Sequence, residues 1–270
     1  MRTKNFGIEI EFTGCKRYDV IKAISNYFRR GFDSEIKNLS DGTSYIKYSI
    51  KDDRGFTWII KRDRSVRSEI LVGDNFDVYC NDSQVGADEY KCELVSPILT
   101  AESVDTLLSL VDVIKSLGGT VNNTCGIHVH IDKPRGVQDI IELAKKFYVM
   151  QDFILKDFNV EENRIEKYCK TFSKELIDKL DLAKPKNIDD FIGFWLLNLA
   201  EGESVTSTHN SARYYALNFH SIVMHNTVEF RFFNSTLDKR EIIRILDWVL
   251  HFAYSPEDCE KHLTQLGLNI

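Results

Sequence analysis

The chain has 270 residues, 43% hydrophobic and 28% charged, a balance that excludes intrinsic disorder, collagen-like repeats and coiled coil. Its 35 Lys and Arg against 41 Asp and Glu leave a net charge of -6, which argues against a nucleic-acid binder working through a broad basic face. No apolar run approaches the roughly 18 residues of a membrane helix, and the start MRTKNFGIEIEF runs straight into a strand pattern, so a soluble, cytoplasmic protein is expected.

Residues 5–13 alternate in period two, with Phe6, Ile8, Ile10 and Phe12 on one face of a half-buried strand and Glu9 and Glu11 on the other. Over 18–30, Val20, Ile21, Ile24 and Phe28 recur at helical spacing, and Gly31 is the expected C-cap. The segments TSYIKYSI, FTWIIK and VRSEILV between 43 and 72 read as strands parted by Asp/Gly turns, and 73–89 as a polar insertion. YKCELVSPIL (90–99) is a further strand, after which Thr100 is placed to cap a helix through Leu117, closed by Gly118-Gly119. In TCGIHVHID (124–132) the apolar Ile127, Val129 and Ile131 oppose His128 and His130. A helix over 137–157, less regular helices over 160–200, and a polar, mobile loop over 201–211 follow. The chain then reads as two strands, ARYYALNFHS and NTVEFRFFN, and a helix over 238–253 capped by Asp238 or Thr236.

Helices do not alternate regularly with strands, so a parallel sheet is disfavoured. The paired runs at 43–72 and 212–234 suggest hairpins, and the fold class expected is α+β: a curved, mainly antiparallel sheet with helices packed on one face, in a single domain over 1–270. The six cysteines (Cys15, Cys80, Cys92, Cys125, Cys169, Cys259) form no CxxC pair and read as reduced thiols. Cys125, beside the histidine pair, reads as a buried small hydrophobe in preference to a nucleophile.

The second strand faces carry the chemistry. Glu9 and Glu11, Glu93, His128 and His130, and Glu229 and Arg231 occupy alternate positions on otherwise apolar strands, so each pair points one way. Clustered carboxylates repel, and something positive should sit among them. An oxygen-rich set with an imidazole suits Mg²⁺ or Mn²⁺, making Glu9, Glu11, Glu93, His128 and Glu229 candidate ligands for two or more divalent ions, which commonly clamp phosphate. Arg231 and Arg213 offer forked donors to such a phosphate. Taken singly, each motif has a plainer reading: Glu9 and Glu11 as the solvated side of an edge strand, Glu229 and Arg231 as a salt bridge.

The ordered set FGIEIEF, ELVSPIL, CGIHVHID, SARYYALNF and TVEFRFFNST, over about 5–255, resembles the amidoligase family, carboxylate–amine ligases that share the fold of glutamine synthetase and glutamate–cysteine ligase. The resemblance implies that Glu9, Glu11, Glu93, His128 and Glu229 bind metal, that His130 approaches the nucleotide phosphates, that Arg231 faces the transferred phosphoryl group, and that Arg213 binds phosphate or substrate. Where the family often has Asp-Gly-Ser, this chain has Asp63-Arg64-Ser65, so Asp63 and Ser65 remain candidate contacts while the tight turn is in question. The insertions at 73–89 and 160–200 are where choice of acceptor is expected to reside.

The implied reaction is ATP-dependent amide or peptide bond formation through an acyl phosphate, with Glu201 or Glu203 as a candidate proton acceptor and small-molecule or peptide carboxylates and amines as substrates. A metal-dependent hydrolase or phosphoesterase, or a degenerate binding protein on the same scaffold, are the rival readings.

Overall fold

The computed structural model describes residues 5–39, 41–72, 77–79, 86–207 and 210–254. Along the chain run β1 (Phe6–Phe12), α1 (Arg17–Phe28), β2 (Asp33–Asn38), β3 (Ser44–Lys51), β4 (Thr57–Arg62), β5 (Ile70–Val72), β6 (Asp77–Tyr79), β7 (Cys92–Val95) and α2 (Val104–Ser116). They are followed by β8 (Gly126–Asp132), α3 (Val137–Asp157), α4 (Glu162–Lys167), α5 (Lys174–Ala183), α6 (Ile188–Leu199), β9 (Leu217–Asn218), α7 (Ser221–His225), β10 (Thr227–Asn234) and α8 (Lys239–Tyr254). The class is α+β. The chain divides into two compact units, Met1–His128 with Asn234–Ile242, and Val129–Phe233 with Ile243–Ile270.

In the first unit the strands run in the order β2-β3-β4-β7-β1-β8. The β2–β3, β3–β4, β4–β7 and β7–β1 pairs are all antiparallel. Alternation sets the packing: Ile10, Leu94, Ile60 and Tyr48 stand opposite one another across four strands, all buried, with Ile8, Phe12 and Trp58 on the same side. Helix α1 lies against β3, β4 and α2, burying Val20, Ile21, Ile24 and Phe28, and Tyr18 meets Tyr48 edge-on at 6.1 Å. Each such aliphatic or aromatic side chain contributes about 1.5–3 kcal/mol. Because the side-chain period is two, a one-residue slip would turn the whole row to the opposite face, so the core fixes the register. Ser96 closes β7, its hydroxyl accepting the Ile8 N–H at 2.9 Å.

Several local expectations are corrected. Helix α1 ends at Phe28 with Arg29, not Gly31, in the left-handed region (φ 53°), the N–H groups of Arg29 and Arg30 returning to the carbonyls of Asn26 and Ser25. Thr100 makes no side-chain cap; a 3₁₀ turn over Ala101–Ser103 leads into α2. The glycine closure does form: Gly118 (φ 82°) and Gly119 donate to Lys115 and Ile114. Strand β2 was not expected, since DSEIKN has no apolar alternation and is held by its pairing to β3. Of the insertion at 73–89, the described part holds β6, paired antiparallel with β5, and a 3₁₀ turn over Ala87–Tyr90; Cys80 lies outside the described residues.

The second unit contains the last four residues of β8, then β10 and β9, the last two paired antiparallel through Glu229–Asn218 and Phe230–Leu217. Its core is aromatic: Phe147, Phe172, Phe191, Trp195, Phe219, Phe230 and Phe232 are all buried, and Trp248 of α8 stacks on Phe252 at 4.7 Å. Gln151 of α3 exchanges two 2.8 Å hydrogen bonds with the Phe172 backbone. The segment expected as one strand, ARYYALNFHS, is instead a 3₁₀ turn (Ser211–Tyr214), the two residues of β9 and the start of α7. Ahead of α8, Asp238 accepts from the Arg240 N–H at 2.7 Å and Thr236 from the Asp238 N–H at 3.0 Å.

Candidate functional site

In the first unit, register builds a polar row on the sheet face opposite the Ile10–Leu94–Ile60 row. Lys61 stands opposite Glu93, which stands opposite Glu11. One alternation away on β1 is Glu9. His128, at the end of this unit's share of β8, places Nδ1 at 3.2 Å from Glu9 and Nε2 at 3.7 Å from Glu11. The second Glu11 oxygen accepts the Gly126 N–H at 2.6 Å. Asp63, just past β4, accepts from the Ser65 N–H at 2.7 Å and its hydroxyl at 2.5 Å, so Asp63-Arg64-Ser65 keeps a tight turn despite the arginine. Arg64 points to Asp41 at 3.2 Å.

Two groups of donors result, Glu9–Glu93–His128 and Glu11–Asp63–Glu93, each offering ligand atoms within 4.8 Å of one another. They share Glu93. Glu11, Glu93 and His128 are buried, at 3%, 2% and 6% exposure. Burial pushes the Glu93 carboxyl well above the usual carboxylate range, and the neighbouring Glu9 adds to the push. The cation among these acids is Lys61, whose ammonium lies 3.0 Å from Glu93 and 3.7 Å from Glu9. Burial alone would pull that ammonium down, but Glu93 and Glu9 outweigh it and hold it above the ordinary lysine value. Four carboxylates and an imidazole around one lysine leave an excess of negative charge and hard oxygen donors, a set that fits Mg²⁺ or Mn²⁺.

The second unit holds the remaining candidates. Glu229 and Arg231, both on β10 and both buried, form an ion pair at 3.0 Å; Asn218 donates to the other Glu229 oxygen at 2.6 Å, and Arg231 Nε donates to the Tyr168 carbonyl at 3.0 Å. Arg213 lies on the 3₁₀ turn, not on a strand. Its guanidinium and that of Arg231 stand 5.4 and 5.8 Å from the Tyr214 ring. His130 shares Nδ1 with Thr227 (2.9 Å) and Ser221 (3.3 Å), while its buried Nε2 has no hydrogen-bond partner among the described residues. Glu201 is exposed in a turn. Glu203 accepts the Ser211 N–H at 2.7 Å, and hydrogen bonds from the Ser211 hydroxyl and N–H hold its carboxyl below the usual range. Of the other histidines, His220 is buried and meets the Val205 carbonyl at 2.7 Å, His225 packs edge-on to His130 at 6.0 Å, and His209 and His262 lie outside the described residues.

Sequence reasoning missed Lys61. FTWIIKR does place it on the Ile59 face, but its meeting with Glu93 depends on the β4–β7 register, which no local pattern encodes. Tyr168 and Asn218, which hold Arg231 and Glu229, carried no signal either. Cys125 is buried, consistent with the packing reading.

No helix among the described residues is long and apolar enough to cross a membrane. No curated protein matches the chain. Residues 2–253, nearly the whole length, match the family model described as "Putative amidoligase enzyme", and the chain belongs to that family.

Proposed function

We propose that the chain is an ATP-dependent carboxylate–amine ligase that forms an amide bond through an acyl phosphate. The observation that carries this reading is the pair of acidic donor groups joined through Glu93, in a chain of the amidoligase family. Glu9, Glu11, Asp63, Glu93 and His128 would hold Mg²⁺ or Mn²⁺, whose chemistry is to neutralise and orient the β- and γ-phosphates of ATP.

The chain's own groups do the positioning. Gly126 fixes one Glu11 oxygen, and His128, set between Glu9 and Glu11, fixes both acids relative to each other. A substrate carboxylate oxygen attacks the γ-phosphorus and ADP leaves; the amine nitrogen then attacks the acyl carbon, loses a proton and expels phosphate. Arg231 is assigned to the phosphoryl oxygens; the Tyr168 carbonyl and Glu229 hold its guanidinium. Arg213 is the second donor of the pair. Of the two loop acids, Glu201 is assigned to accept the amine proton, because Glu203 is engaged by Ser211.

The test is a screen of amine and carboxylate pairs for ATP- and Mg²⁺-dependent phosphate release, followed by the same reaction with ¹⁸O in the carboxylate. An acyl phosphate requires one ¹⁸O to appear in the released phosphate. Phosphate that carries no label, or release that needs no amine or carboxylate, overturns the ligase reading in favour of hydrolysis.

A further inference from the structure

We propose that Arg164 is a positioning residue for Arg231: from helix α4 it completes the hydrogen-bond ladder of β10 where β9 stops short, and so holds the Arg231 guanidinium in one setting. This rests on the assignment of Arg231 to the phosphoryl oxygens and adds what aligns that arginine. Strand β9 is two residues long, paired with β10 through Glu229–Asn218 and Phe230–Leu217. The next pair in that register is Arg231 and Ala216, and only half of it forms. The Arg231 N–H reaches the Ala216 carbonyl at 3.0 Å, but the Ala216 N–H turns to the Lys170 carbonyl at 2.9 Å instead of returning to Arg231. The Arg231 carbonyl is met by the Arg164 guanidinium at 3.2 Å.

That contact is one side of a closed ring. The Arg164 side chain holds the Arg231 backbone, the Arg231 Nε–H donates to the Tyr168 carbonyl at 3.0 Å, and the Tyr168 N–H returns to the Arg164 carbonyl at 2.8 Å. The segment after α4 reaches the other arginine as well, since the Lys170 N–H donates at 2.8 Å to the carbonyl of Tyr214, next to Arg213. Arg164 is 2% exposed, and its Nε has no hydrogen-bond partner among the described residues. A guanidinium buried with an unmatched donor is a costly way to fill a core position, which an apolar side chain of similar length would fill without burying charge. What only the guanidinium supplies is a donor that spans from the helix to the strand carbonyl, so its role lies in alignment and not in packing.

The experiment compares the wild-type chain with Arg164→Met and Arg164→Lys, each labelled with ¹⁵N-arginine. Nuclear magnetic resonance follows the Arg231 Nε–H, identified by its loss in Arg231→Lys, and phosphate release with ATP and Mg²⁺ follows turnover of an amine and carboxylate pair from the screen. Arg164→Met should move the Arg231 signal and speed its exchange with water. It should also lower kcat about a hundredfold while KM for ATP stays within about twofold, the split expected when a group that acts in the transition state is misplaced. Arg164→Lys keeps the charge on a shorter side chain and should show the same split at about tenfold. Melting curves set an assay temperature at which each chain is folded; if Arg164→Met folds at none, Arg164→Lys carries the comparison. A folded variant with an unmoved Arg231 signal, or with wild-type kcat, overturns the inference and leaves the ligase reading standing. A raised KM with kcat unchanged overturns it as well. A wild-type chain that forms no ADP ends the ligase reading, and the role of Arg164 falls with it.

Discussion

Glu93→Gln separates a metal centre from a structural acid cluster, because Glu93 alone belongs to both donor groups. If the native chain binds Mn²⁺ and the unfolded chain does not, free Mn²⁺ at a hundred times the dissociation constant stabilises by about 2.7 kcal/mol. For a chain of this size that is a rise of about 5–10 °C in Tm. The substitution keeps the volume and shape of the side chain and removes one anionic donor from each group, leaving two of three. A hundredfold loss of affinity is expected, so at the same free Mn²⁺ the stabilisation falls to about 0.4 kcal/mol, or roughly 1 °C. The variant should fold, since an amide is less costly to bury than a carboxylate and Glu93 is 2% exposed. Scanning calorimetry of both proteins across a Mn²⁺ series against an EDTA baseline reads the difference. A Glu93→Gln protein that retains the full rise would refute the assignment of Glu93 as a shared ligand.

Asp52, buried in the β3–β4 turn, accepts from the Arg54 and Phe56 N–H groups at 3.0 Å each, from the Trp58 indole at 3.2 Å and from the Arg54 side chain at 3.1 Å. Asp52→Ala should therefore cost about 2–4 kcal/mol in urea unfolding. Although burial opposes it, hydrogen bonds from Trp58, Phe56 and Arg54 hold the Asp52 carboxyl below its ordinary value. Its contribution should be complete above the unfolded carboxylate range near pH 4 and fade as pH falls further, a dependence that Asp52→Asn should flatten. Arg231→Ala strips Glu229 of a buried partner and should lower stability by about 3–5 kcal/mol as well as abolishing ADP formation, so its loss of activity must be read beside a melting curve. Burial pushes the Cys15 thiol to about 12 and the Cys169 thiol to about 11, so neither should react with a maleimide at pH 8 until the chain unfolds, which mass spectrometry of labelled peptides will show.

What the text of the chain reveals and what it hides have a common cause. A strand that buries one face writes that face every second residue, so Ile8, Ile10 and Phe12 expose Glu9 and Glu11 to the reader, and Ile127 and Val129 expose His128. The ligand candidates of the first unit were legible for that reason, though their distances were not. Strand β2 has no buried face, with Ile36 68% exposed, and so leaves no period to read. On the other side, SARYYALNF is apolar enough to pass for one strand, yet Ser211–Tyr214 turn in a 3₁₀ helix and only Leu217 and Asn218 are strand. Lys61 shows the deepest limit: its partner lies 32 positions away and is chosen by strand order, a property of the assembled sheet.

The outermost position of β2 carries its own consequence. This strand has β3 on one side and no described strand on the other, so a row of amide and carbonyl groups faces outward beside the exposed Ile36. Glu35 and Lys37, joined at 2.5 Å, and Lys47 at 3.6 Å from Glu35 put charges along that border. They act as a guard against self-association, since a second copy laid edge to edge would have to bury them. Neutralising Glu35 and Lys37 together would remove two of these charges while Asp33 and Lys47 remain, and the concentrated protein would then be expected to self-associate more readily without any loss of its folded core.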